Sequence, residues 1–129
     1  MINIGFIGTD NNNINQGAMK SKIREILNWG VFIPNETEKF NFIINKQESL
    51  GEIVNSLRED LKVKHSIRLT KVDRMDIDDT IIRKSDILIM YKHDKDRLLR
   101  ELKRNNKDKI IVFIEPSTYK FHTVQVKEI

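Results

Sequence analysis

The sequence predicts a single α/β domain with a mostly parallel, doubly wound sheet of five strands and helices on both faces. Short β-branched runs alternate with segments whose apolar residues recur at helical spacing, and no repeat or linker interrupts them. This alternation favours parallel β-α-β units, and 129 residues suit one hydrophobic core. We expect the domain to span residues 1–117, with residues 118–129 forming an extra edge strand or a tail that packs on the domain or on a partner.

The first two β-α units have the clearest boundaries. The first strand runs from Ile2 to Ile7, and the amphipathic helix after the next loop is expected to stop at Gly30. The second strand covers Phe40 to Ile44. The helix that follows is predicted to start with a capping box, in which Ser49 caps the helix and Glu52 lies three residues later.

Three more strands complete the predicted sheet, with a helix before the second and another before the third. The strands are expected at Ser66–Val72, Asp86–Tyr91 and Ile110–Ile114, and the helices at Arg74–Lys84 and from Asp94 or Asp96 onward. The last strand is a continuous apolar run that ends before Pro116, which is typical of a buried strand.

Composition argues against several classes of function. The chain has no cysteine, and its three histidines are isolated in sequence, so we assign no metal and no cofactor. No apolar run approaches the ~18 residues of a membrane span, and the first strand lacks the basic start of a signal peptide. We therefore expect a cytoplasmic protein with no membrane partner.

A basic stretch, Lys92–Lys109, contains eight lysines and arginines against four acidic residues. Its charges interleave with acidic residues, as on a solvated helix, and it contains no phenylalanine, tyrosine or tryptophan on which a base could stack. We therefore do not expect nucleic acid as a partner, although an anionic partner could bind there.

Ligands of open parallel sheets bind beyond the carboxyl ends of the strands, where the loops of this chain carry polar groups. Gly8 would let the backbone approach a phosphate, and Thr9 offers a hydroxyl. Ser49, with the amides of Leu50 and Gly51, forms a second helix start at the same edge. Each feature has a structural alternative, because glycine also relaxes a tight turn and serine also caps a helix.

A cluster of charged residues follows the third predicted strand. It comprises Asp73, Arg74, Asp76, Asp78 and Asp79. These groups could bind a ribose diol, polarise a bond or hold a divalent cation. They would equally suit the first turn of a helix, where the helix dipole favours acidic residues.

Three segments of the chain resemble the SLOG superfamily, a Rossmann-like group that includes LOG-type phosphoribohydrolases, DprA-like DNA-binding proteins and YpsA-like proteins. They are Ile4–Asp10, the second strand with its loop to Gly51, and Arg74 followed by Ile81–Ile89. The resemblance implies a site for nucleotide phosphates. By position, the residues that it implicates are Gly8, Thr9, Ser49, Gly51 and Arg74. Asp10 and Leu50, which lie in the same two loops, complete the predicted ligand-binding set.

The departures from this family bear on catalysis. Asp10 stands where a basic residue is common, and Tyr91–Asp94 replaces the hydrolases' P-G-G-x-G-T-x-x-E segment. Glu101 and Asp79 are then the remaining catalytic candidates. We expect binding of a nucleotide or a nucleotide-derived ligand without robust catalysis, by a sensor or sequestering protein, and a homodimer that buries its C-terminal segment.

Two alternatives remain open at this stage. The first is an enzyme acting on N-glycosidic bonds, either a phosphoribohydrolase or a relative of the nucleoside deoxyribosyltransferases, with a carboxylate as nucleophile. The second is a protein–protein interaction module, for example a virus-encoded protein that binds a host factor through the basic helix or the C-terminal segment.

Overall fold

A computed structural model shows an α/β protein built on one mixed, mostly parallel sheet of six strands. It describes residues 1–8, 14–73, 77–91, 109–115 and 118–126. In chain order the elements are β1 (Ile2–Ile7), α1 (Gln16–Leu27), a π-helical segment (Asn28–Phe32), β2 (Phe40–Asn45), α2 (Ser49–Leu61), β3 (Ile67–Val72), α3 (Ile77–Lys84), β4 (Ile87–Met90), β5 (Lys109–Ile114) and β6 (Phe121–Val126).

The strand order across the sheet is β3-β2-β1-β4-β5-β6. The first five strands are parallel to their neighbours, and β6 pairs antiparallel with β5. The sheet therefore has six strands, one more than the predicted five. The sixth comes from the C-terminal segment and is an edge strand, which is one of the two arrangements predicted for that segment, the other being a packed tail. The predicted helix starting at Asp94 or Asp96 lies outside the described residues.

Each face of the sheet has its own apolar core. On one face, residues of β1, β2, β4 and β5 pack against α1 and α2, with the rings of Phe6 and Phe42 meeting edge to face at a centroid distance of 5.2 Å. On the other face, Ile81 and Ile82 of α3 pack against β1, β2, β4 and β5. Helices therefore cover both faces, as predicted from the alternation of strands and helices.

The predicted helix stop at Gly30 is wrong. The chain continues as a π-helical segment through Phe32, and Gly30 lies inside it without a positive φ angle. Val31 and Phe32 are buried, and the Phe32 ring packs against Phe40 at a centroid distance of 4.9 Å. This burial keeps the chain helical for one more turn, because it brings Phe32 onto the core.

Candidate functional site

The carboxyl ends of the parallel strands form the edge at which ligands bind in sheets of this kind. The strand order reverses at β1, which lies between β2 on one side and β4 on the other. The Tyr91 N–H donates to the Ile7 carbonyl at 2.8 Å, so β1 and β4 end side by side. This point of reversal is the candidate site, and Gly8 lies directly beside it.

Gly8 and the start of α2, the two halves of the predicted site, are in contact. The Gly8 N–H donates to Oε2 of Glu48 at 2.9 Å, and Glu48 is only 8% exposed. A Cβ atom on Gly8 would lie 3.0 Å from the Cβ of Leu50. The absence of a side chain on Gly8 therefore lets the end of β1 approach both the carboxylate and the first turn of α2.

The loop before α2 is held in a tight turn. Oδ1 of Asn45 accepts the Gln47 N–H at 2.9 Å, and the Glu48 N–H donates to the Asn45 carbonyl at 3.3 Å. A Cβ atom on Gly51 would lie 2.5 Å from that same carbonyl oxygen. Gly51 therefore has a packing role, because only glycine allows α2 to begin directly against the end of β2.

The predicted capping box at Ser49 is wrong. Ser49 is the first residue of α2, and the preceding Glu48 occupies the N-cap position without a side-chain capping bond. The Glu48 carboxylate is used differently, since it accepts the Gly8 N–H of the neighbouring strand. A negative charge at this point is also favoured by the positive end of the α2 dipole.

The charged cluster after β3 is described only at its first residue. Oδ1 of Asp73 accepts a hydrogen bond from Nε2 of Gln47 at 3.0 Å, and Nζ of Lys46 lies 3.8 Å from Oδ2. These contacts tie the end of β3 to the loop after β2. Asp73 therefore braces the edge that carries Glu48.

Several predicted residues lie outside the described part of the chain. They are Thr9, Asp10, Arg74, Asp76, Glu101 and the stretch 92–108, together with the side chains of Asp78 and Asp79. Their assigned roles stay predictions.

Sequence reasoning missed three side chains at this edge: Glu48, Tyr91 and Tyr119. The rings of Tyr91 and Tyr119 stack at a centroid distance of 6.0 Å, and the Tyr119 hydroxyl accepts the Asn15 N–H at 3.2 Å. Tyr119 has a φ of 56°, which is uncommon for a residue other than glycine. Only the acidic residue after β2 could have been found in advance, because an acidic side chain after an early strand often binds ribose in dinucleotide-binding folds.

Tyr91 gives the site a measurable pH dependence. Burial, and then the neighbouring Tyr119, raise the pKa of Tyr91 above 10.0. The folded state therefore favours the neutral phenol of Tyr91. The stability that this preference contributes is fully present below the pKa of tyrosine in the unfolded chain, and it is lost as the pH rises through the higher pKa of the folded state. We expect the free energy of unfolding to fall more steeply above about pH 10 in the wild type than in Tyr91→Phe. Urea unfolding across neutral to alkaline pH checks this, and parallel curves above that pH would contradict it.

A cavity of about 450 Å³ lies elsewhere, beside the end of α3. Three polar side chains on neighbouring strands line it, and they hydrogen-bond to one another. Oγ1 of Thr70 donates to Oδ1 of Asn41 at 3.0 Å, and Nδ2 of Asn41 donates to Oδ1 of Asn3 at 3.1 Å. These groups are used within the sheet, so we do not place the candidate site there.

No family model, curated protein or solved structure matches the chain. Within the described residues, no three histidine, aspartate or glutamate side chains are grouped so that they could hold a metal ion. In the same part of the chain, no helix has the length and apolar character needed to cross a membrane.

Proposed function

We propose that the protein binds a nucleotide or a nucleotide-derived ligand at the carboxyl edge of its sheet, as a sensor or sequestering protein without robust catalysis. The observation that carries the proposal is the convergence of Gly8 and Glu48 beside the point where the strand order reverses. The proposal includes a Rossmann-like arrangement of the first five strands and a relationship to the SLOG superfamily.

Glu48 suggests which part of the ligand lies closest to Gly8. A carboxylate accepts hydrogen bonds at about four lone-pair positions and repels a phosphate, so it suits the hydroxyl groups of a ribose. The Gly8 N–H already donates to the Glu48 carboxylate, so it is used in that contact and not in holding a phosphate. We therefore propose that ribose hydroxyls face Glu48, whereas the phosphate contacts assigned to Thr9 and Ser49 stay predictions.

The end of β4 supports binding over hydrolysis. Tyr91 occupies the position where the resemblance leads one to expect the glycine-rich segment of the phosphoribohydrolases, and it is 4% exposed. A buried tyrosine stacked on a second tyrosine fills space there. At Tyr91, the one residue of this segment that the structure describes, side chains therefore occupy the place where a glycine-rich loop would offer its backbone to a phosphate.

A thermal-shift panel of adenine and guanine mono-, di- and triphosphates, cyclic monophosphates and inorganic phosphate tests the proposal. We expect at least one nucleotide, but not inorganic phosphate, to raise the Tm. A Kd tenfold below the ligand concentration would stabilise the fold by about 1.4 kcal/mol, which is several degrees for a domain of this size. A panel in which no nucleotide raises the Tm would contradict binding.

Glu48→Gln is the variant that locates the ligand. It keeps the shape of the side chain and an oxygen that can accept the Gly8 N–H, but it removes the charge. We expect it to raise the Kd for the nucleotide about tenfold, and so to reduce the rise in Tm, because hydrogen bonds to charged groups contribute roughly 1.5–3 kcal/mol. Glu36→Gln, at an exposed glutamate, is the matched control and should bind as the wild type does.

An enzyme acting on N-glycosidic bonds is the second candidate, and Glu48 is the observation that favours it. A largely buried carboxylate at the carboxyl edge of a sheet is a reasonable nucleophile or acid for such chemistry. Free base released from a nucleoside or nucleotide by the wild type, and not by Glu48→Gln, would establish this candidate. A nucleotide that stabilises the protein and is recovered intact would support the binding function instead.

A further inference from the structure

The two edges of the sheet differ in character. At one edge, β3 carries the charged residues Arg68 and Lys71 at exposed positions, and such charges oppose pairing with another strand. At the other edge, β6 has the sequence FHTVQV, without a charged residue or a proline. Within the described residues, β6 has β5 as its one neighbouring strand. Among the residues that the structure describes, the β6 edge is therefore the one that has no further strand beside it and no charged residue to oppose pairing.

The register of β5 and β6 shows which backbone groups point outward. The Glu115 N–H donates to the Lys120 carbonyl at 2.8 Å, which makes this a hydrogen-bonded position of the antiparallel pair. The pairing then continues without a bulge to the end of β6, and hydrogen-bonded positions alternate along it. Every second residue from Lys120 onward therefore bonds to β5. The residues between them direct their N–H and C=O groups outward, and these are Phe121, Thr123 and Gln125.

We propose that β6 pairs antiparallel with β6 of a second copy of this chain, about a two-fold axis that passes beside Thr123. When Thr123 faces Thr123 of the partner subunit, Phe121 faces Gln125 of the partner subunit, and every outward-facing residue meets another. If the two strands were shifted by one residue, the outward N–H and C=O groups of one copy would face residues of the other copy whose backbone groups already bond to β5. A shift of two residues loses one of the three facing pairs.

A second copy suits this edge better than a strand of another protein. An antiparallel pair of identical strands is self-complementary, as a two-fold interface requires. Facing threonines form a favourable cross-strand pair. Phe121 is 39% exposed, so it has apolar surface left to bury against a partner. The outer edges of the joined sheet would both be β3, whose charges oppose further growth, so the assembly closes at two copies.

A single introduced cysteine tests the register. The chain has no cysteine, so a disulfide in Thr123→Cys can form only between two copies. Facing Cα atoms at a hydrogen-bonded antiparallel position lie about 5.5 Å apart, which is within the span of a disulfide. We expect mild oxidation to give a covalent dimer of Thr123→Cys, whereas Arg68→Cys on β3 stays monomeric. Equal cross-linking of the two variants, or none of either, would overturn the proposal.

Light scattering after size exclusion tests the dimer without a cross-link. We expect the wild type at high-micromolar concentration to have twice the 15.2 kDa mass of the chain. Thr123→Pro removes the outward N–H at the centre of the interface and should give a monomer with an unchanged circular dichroism spectrum. A monomeric wild type would overturn the proposal and leave the edge open to a strand of another protein. If Thr123→Pro does not fold, the cysteine variants decide.

Discussion

Replacing Gly5 by alanine is expected to lower the free energy of unfolding by about 1–3 kcal/mol, the range typical of an overpacked core. Gly5 lies in β1 under α3. A Cβ atom there would clash with Oγ of Ser85 and lie 2.6 Å from Cγ2 of Ile81. Ser85 cannot turn away without loss, because its hydroxyl donates to the Ile81 carbonyl at 2.5 Å. The helix must therefore move off the sheet, and urea denaturation measures the cost.

Gly30→Ala is the matched control for Gly5→Ala. Apart from its chain neighbours and the backbone of its own helical segment, no atom of the described residues lies within 4 Å of the Cβ that it would add, and Gly30 has no positive φ angle. Alanine also favours helical backbone over glycine by about 1 kcal/mol, so this variant should be neutral or slightly stabilised. Equal stability of the two variants would mean that α3 does not lie as close to β1 as described.

Replacing Lys109 by methionine is expected to lower the free energy of unfolding by about 2 kcal/mol. Lys109 is 2% exposed at the start of β5, and its ammonium group donates to the carbonyls of Ile82 and Ser85, the latter at 2.9 Å. These carbonyls lie at the end of α3, where the i+4 N–H donors of the helix run out, and the Ile82 carbonyl also accepts the Ser85 N–H at 3.4 Å. Methionine fills much of the volume but leaves the carbonyls without this donor.

Lys39→Met is the control for this buried lysine. Lys39 is exposed, so the same change of side chain should leave stability within about 0.5 kcal/mol of the wild type. Urea denaturation of both variants at neutral pH makes the comparison. A Lys109→Met protein as stable as Lys39→Met would show that the ammonium group does not hold the end of α3.

The order of strands and helices could be predicted because apolar periodicity reports directly on which residues are buried. The continuous apolar runs that became β1, β2 and β5 are buried on both faces of the sheet, as their sequences indicated. The end of this helical region could not be predicted, because the π-helical segment after α1 continues past Gly30, where Phe32 packs against Phe40. Local propensity gave way there to a contact made across the fold.

The candidate site also has a part that the sequence predicts and a part that it does not. The meeting of Gly8 with the first turn of α2 follows from the rule that parallel strands end at one edge of the sheet. The roles of Glu48 and Tyr119 depend on contacts with Gly8 and Asn15 that span 40 and 104 positions in the sequence. No local pattern reports these contacts. Only the position of an acidic residue directly after β2 indicates Glu48, and the capping-box prediction at Ser49 did not use that signal.

Amide chemical shifts of the ¹⁵N-labelled protein, recorded as each nucleotide of the panel is added, test the central claim most directly. If the ligand binds at the edge formed by Gly8 and Glu48, the largest saturable shifts will fall on the amides of Gly8, residues 48–51 and Tyr91. They should be weaker in Glu48→Gln at the same nucleotide concentration. Unchanged spectra, or shifts confined to amides away from this edge, would contradict the proposed site.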